Sequence, residues 1–181
     1  KDFHTGDPAF DGEWLFGTHL MAGFGFLQLA RQRPDLRPWA MDRAGQCLDR
    51  LLEPRLRAFD TKSWGGDALA GLGGNADHAA YLGYLNALLG AHRSLAPDSR
   101  FAETHERITA HLVRRLAASP TALLQTYPGE VYPVDNCAVA ASIADWMAAG
   151  SRTTSPQSRY PSASASRHAM PGDWSNRHGR G

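Results

Sequence analysis

The chain repeats itself. A strongly apolar helical stretch, a Pro-Asp turn, an amphipathic helical stretch and a long polar loop follow one another, and the order then begins again. The turn Pro34-Asp35-Leu36-Arg37 returns as Pro97-Asp98-Ser99-Arg100, 63 residues on. The apolar stretches open near Glu13, Asp77 and Asp135, at spacings of 64 and 58 residues. Self-similarity of this kind implies stacked units that bury their apolar faces against one another, because one unit alone cannot enclose a core. No segment alternates in the manner of a half-buried strand. The expected fold class is therefore all-α, built of stacked αα-hairpins with the apolar helices as an inner layer and the amphipathic ones outside.

The pattern predicts five helices. The run Gly12–Arg31 follows Asp11 as its N-cap and is apolar almost all round, so it is expected to be buried on every side. Pro38–Leu56 sets Met41, Leu48 and Leu51 on one face and Asp42, Arg43 and Asp49 on another. Residues 59–75 hold five glycines and read as one long loop. Asp77–Leu95 is the second apolar helix and Ser99–Ala118 the second amphipathic one. The loop Ser119–Pro133 then leads into a third apolar helix, Val134–Ala149.

Residues 1–150 thus make a helical-repeat domain, and the composition changes sharply after it. Residues 151–181 hold seven serines, five arginines and three prolines without periodicity, which predicts a disordered tail. An arginine-rich nucleic-acid arm is the weaker reading of that tail. The change in mid-repeat is also what a frameshift would leave behind. The charge splits the same way. Residues 1–150 carry 14 Lys and Arg against 17 Asp and Glu, and an acidic body argues against a nucleic-acid partner. No apolar stretch approaches the ~18 residues of a membrane span. The chain opens at Lys1 with neither an initiator Met nor a signal-type segment, pointing to a processed start or a piece of a longer protein, and no compartment can be read from it.

Cys47 and Cys137 match no zinc or redox spacing, and the histidines show no paired-ligand spacing, so neither metal nor cofactor is expected. His92, His105 and His111 are expected towards the ends or outer faces of helices, in contact with solvent. In stacked hairpins the amino ends of the inner helices gather at one mouth, with unpaired N–H groups and partial positive charge. Three polar clusters fall there. The first is Glu13 and Trp14, with His19 further along the helix; the plain alternative makes Asp11 a cap, Glu13 a first-turn acid and His19 a core group. The second is Asp77 and His78, followed by Tyr81, Tyr84 and Asn86. Asn75 or Asp77 is a natural cap, and the polar groups on this apolar helix either knit the core or line a cavity.

The third cluster is the densest: Tyr127, Glu130, Tyr132, Asp135, Asn136 and Cys137 within eleven residues, where a loop meets a helix. Glu130 and Asp135 suit an acid/base pair, Tyr84 or Tyr127 a positioning donor, and Cys137 a thiol with its thiolate favoured by the helix start. The alternative is a Pro128-Gly129 turn, an Asp135 cap and a small buried Cys137.

Repeat and clusters together resemble the (α/α)6 toroids: six-hairpin glycosidases, polysaccharide lyases, sugar epimerases and, most nearly, the linalool dehydratase/isomerase-like family. Tyr81-Leu82-Gly83-Tyr84 resembles a Tyr-x-Gly-His stretch of that family, with Tyr84 in the histidine position. Gly129-Glu130 through Asn136-Cys137 resembles a later loop of it, with one cysteine of two. The resemblance spans residues 10–150 and implies part of a toroid, since five helices leave the ring open. It also implies hydrolase, lyase or isomerase chemistry on a carbohydrate or small hydroxylated substrate. An open arc exposes apolar inner-helix surface and invites a homo-oligomer. A non-catalytic helical-repeat interaction module, or an inactive fragment, is the alternative.

Overall fold

A computed structural model describes residues 3–154. The described chain is helical: α1 Pro8–Gln32, α2 Arg37–Leu51, α3 Ala58–Trp64, α4 Ala79–Arg93, α5 Ala102–Ala118 and α6 Pro133–Thr154. Among the described residues there is no strand, and Tyr127 and Glu130 form an isolated bridge. The all-α class read from the repeat holds. The tail expected over 151–181 lies outside the described residues from 155 onward, and its first residues, 151–154, instead continue α6.

Helix starts differ from expectation for local reasons. Pro8 opens α1 because its fixed φ suits the first turn and its missing N–H is not needed there. Asp7, not Asp11, is the cap, accepting from the N–H groups of Ala9 and Phe10 at 2.8 and 3.5 Å. Asp11 accepts instead from the backbone N–H and hydroxyl of Thr5, at 2.8 and 2.7 Å. α2 stops at Leu51, short of the expected Leu56, just ahead of Pro54, which cannot continue a helix. The segment expected as one loop contains α3: its seven residues carry no glycine, and Gly65 ends it in the left-handed region at φ 70°. Neither Asn75 nor Asp77 caps α4; His78 precedes it.

α4 packs against α1, α2, α5 and α6; α2 also touches α1, and α5 also touches α6. Each amphipathic helix therefore lies against two apolar ones. Leu48, Leu82, Leu85, Leu88, Ile108 and Leu112 are wholly buried in the resulting core, each contributing roughly 1.5–3 kcal/mol relative to exposure. Two glycines set the spacing of the apolar helices. A Cβ at Gly23 would stand 2.8 Å from Cδ2 of Leu88, and one at Gly83 would stand 2.8 Å from Cγ2 of Val139. Two polar groups of α4 are satisfied across helices: Tyr81 donates to the Leu51 carbonyl at 2.8 Å, and Asn86 donates to Ser142 at 3.0 Å and accepts from Thr109 at 3.1 Å. Tyr81 and Asn86 thus knit the core.

Two burial expectations are corrected. α1 is not enclosed: Phe10, Trp14 and Met21 are 51%, 54% and 70% exposed. α2, α3 and α4 pack against it and leave one side open. Conversely, His92, His105 and His111 are buried rather than solvated. His111 is covered by the loop ahead of α4, where Gly73 N–H donates to Nδ1 at 3.1 Å and Nε2 donates to the Ala76 carbonyl at 3.0 Å. His92 meets the edge of Phe101 at 5.3 Å between ring centres. Burial pushes all three imidazoles below their ordinary range, His105 to about 4.

Candidate functional site

The starts of α1, α4 and α6 are joined by the loop 119–132. Its Gln125 donates its N–H to Asp77 at 2.9 Å and accepts from the N–H of Ala79 at 3.1 Å, which fastens the loop to the head of α4. Arg115 supplies the other partner of the buried Asp77 carboxylate at 2.6 Å. Asn136 clasps the far side: it accepts from Leu124 N–H at 2.7 Å and donates to the carbonyls of Leu124 and Tyr132, both at 3.0 Å. Asp77 and Asn136 are therefore committed to holding the loop in place.

Between these clasps lies a cluster of titratable groups. The Tyr127 hydroxyl donates to Glu13, bringing the third sequence cluster onto the first. Burial pushes the Tyr127 phenol up, and the Glu13 carboxylate beside it pushes the same way, followed by the fields of Asp60 and Asp135. Asp135 is buried and accepts from the Thr126 hydroxyl at 2.8 Å, while that oxygen accepts from Tyr132 N–H at 3.1 Å. Half-buried Tyr84 faces Asp135 from α4; burial first, and then that carboxylate, pushes its phenol up to about 12.

His78 stands at the neck of α4 in a left-handed conformation, φ 50° and ψ 38°. Its Nδ1 lies 2.8 Å from Oδ2 of Asp60, and its ring lies 4.6 Å from that of Trp64. Trp64 donates its indole N–H to the Thr126 carbonyl at 3.3 Å, so α3 is tied to the same loop. Asp60 is wholly buried and its second oxygen, Oδ1, has no hydrogen-bond partner. Burial pushes this carboxyl up and His78 pulls it back.

The other sequence candidates lie around this cluster or away from it. Glu130 and Tyr132 are exposed, with the Tyr132 hydroxyl donating to Glu130 at 2.6 Å. Cys137 is exposed near the start of α6, not buried as the plain alternative had it. Trp14 is exposed beside Phe3 and, with Phe10, Glu13, Gly17, Thr18 and Met21, lines an open groove of about 530 Å³. Glu13 belongs both to this groove and to the Tyr127 bond. Two candidates fall outside: Tyr81 is buried with its hydroxyl on Leu51, and His19 has Arg50 and Glu53 as its charged neighbours.

Asp60 is the residue the sequence reading missed. The available signal was the glycine-free stretch Ala58–Trp64, which marks a helical turn inside what reads as loop. Among the described residues no group of three or more His, Cys, Asp or Glu side chains is placed to hold a metal ion. What the cluster offers is proton chemistry. Carboxylates stand next to phenols whose own protons are hard to remove, and the His78 imidazole is tied in through Asp60 and Trp64, a mixture of acceptors and donors of the kind acid/base transfer uses. No protein-family model, no curated protein and no solved structure matches the chain.

Proposed function

We propose that this chain carries the acid/base site of an enzyme-type domain acting on a carbohydrate or another small hydroxylated substrate, by hydrolase, lyase or isomerase chemistry. One observation carries the reading: the Tyr127 phenol is hydrogen-bonded to Glu13 and lies in the fields of Asp60 and Asp135. Simple loop anchoring does not call for a phenol set among carboxylates drawn from three separate helices. On this reading Asp135 and the exposed Glu130 exchange protons with substrate, and Glu13 with Tyr127 orients a hydroxyl group. Tyr84 is a second donor, and Cys137, exposed near the start of α6, takes part beside it. The six helices are then an arc of an (α/α) toroid. The test is turnover of a panel of oligosaccharides and small alcohols, followed by proton NMR. Glu130→Gln abolishes turnover and leaves the thermal midpoint nearly unchanged, because an exposed side chain contributes little to packing. A large drop in midpoint with no turnover from wild type overturns the reading.

A second reading, a helical-repeat interaction module, draws support from the open face of α1, where Phe10, Trp14 and Met21 are exposed. Under it, substitutions in the polar cluster alter stability alone.

A further inference from the structure

The loneliest polar atom near the cluster is Oδ1 of Asp60. The residue is wholly buried, one carboxylate oxygen lies on His78 and the other on nothing. An unpaired buried carboxylate oxygen is unfavourable and calls for a reason. His78 adds a second. A left-handed backbone is strained at a non-glycine residue, and glycine or asparagine would enter α4 with less strain. The position therefore holds a particular side chain. Trp64 packs against that ring and is itself fixed to the Thr126 carbonyl, next to Tyr127.

We infer that His78 is a further proton-transfer group of this site, beside Asp135 and Glu130, and that Asp60 is its positioning residue, holding the ring so that Nε2 is the working nitrogen. The inference rests on the acid/base reading above. With Asp60 ionised its oxygens only accept, and the 2.8 Å contact is then Nδ1–H donating to Oδ2. The neutral imidazole then has a bare lone pair on Nε2; His78 is only 3% exposed, and among the described residues no hydrogen bond is shown for that nitrogen, which is not among the fully enclosed unpaired atoms. In the forward step a substrate O–H bond breaks, its proton forms an N–H bond at Nε2, and the electron pair stays on the substrate oxygen. The imidazolium so formed is balanced by Asp60, whose free Oδ1 remains able to accept. The proton returns from Nε2 to the departing or rearranged oxygen, which restores the neutral ring. This is the orienter, base and substrate geometry of acid/base catalysis in general.

The experiment uses the full chain labelled with nitrogen-15. Long-range proton–nitrogen spectra at about pH 8, where an ordinary imidazole is neutral, should show His78 protonated on Nδ1 and bare on Nε2. In Asp60→Asn the amide can donate to Nδ1, so the proton should move to Nε2. Diethyl pyrocarbonate acylates bare ring nitrogens and is read by peptide mass mapping. His78 should be acylated in wild type and at least about tenfold more slowly in Asp60→Asn. Should that variant fail to fold, the wild-type tautomer and acylation decide alone. A proton on Nε2 in wild type, or an inert His78 beside a reactive exposed His4, overturns the inference. So does undiminished turnover in folded His78→Gln, which would leave the acid/base reading standing. Absence of wild-type turnover across the panel removes that reading first and this inference with it.

Discussion

The phenol of Tyr127 donates to the carboxylate of Glu13, a bond across 114 residues of chain that joins the first turns of α1 to the loop ahead of α6. It closes the site mechanically as well as chemically. Tyr127→Phe leaves Glu13 without its donor and should destabilise the fold by about 1–2 kcal/mol. Urea denaturation measures this. A change below a few tenths of a kcal/mol would mean the bond is not maintained in solution.

The buried histidines make stability fall on the acid side of neutrality. His105 is 2% exposed, and burial, with Arg93 adding, lowers its imidazole to about 4. An imidazole that binds protons less readily folded than unfolded stabilises fully above the unfolded value of 6.5 and loses that contribution as pH falls toward 4. The loss attributable to His105 is roughly 3 kcal/mol when complete. Thermal midpoints between those limits should fall for wild type and fall less steeply for His105→Gln. Equal slopes would contradict the assignment.

The contact of α4 with α6 leaves no room at Gly83, where a Cβ would meet both Cγ2 and the backbone nitrogen of Val139, at 2.8 and 3.3 Å. Backbone cannot yield as a side-chain tip does. Gly83→Ala should therefore destabilise by about 1–3 kcal/mol despite the better helix propensity of alanine. Chemical denaturation checks the sign: a stabilised variant would show that the two helices stand further apart.

How much of this was legible beforehand follows from the range of the interactions. Helix type and order came through because apolar periodicity and the Pro-Asp turns are local. Helix starts shifted by a few residues because Asp7 with Pro8 outcompetes Asp11 as an entry to α1. α3 was hidden by the glycines that follow it, and Asp60 with it. The burial of α1 depends on how many neighbours it has, and the burial of His111 on a loop that folds back over it; neither is written in a local pattern. The clusters around Glu13, His78 and Tyr127 were visible one by one. Their union rests on contacts between distant segments, Tyr127 with Glu13 and Asp60 with His78.

The open face of α1 should be sticky. Phe10, Trp14 and Met21 form an exposed apolar strip of the kind that self-associates or takes a partner. Sedimentation equilibrium should show concentration-dependent association in wild type and a monomer in the double variant Trp14→Lys, Met21→Glu. A wild-type monomer throughout would remove the homo-oligomer expectation and leave the polar cluster untouched.

The central claim, that the polar cluster acts on substrate as one unit, is tested most directly by a double-mutant cycle on turnover with Glu13→Gln and Tyr127→Phe. Groups that work together are grossly non-additive. Each single variant should lose at least about a hundredfold in kcat/KM, and the double variant should lose no more than the worse of the two. Two independent effects that multiply, or either single variant turning over like wild type, would contradict the account.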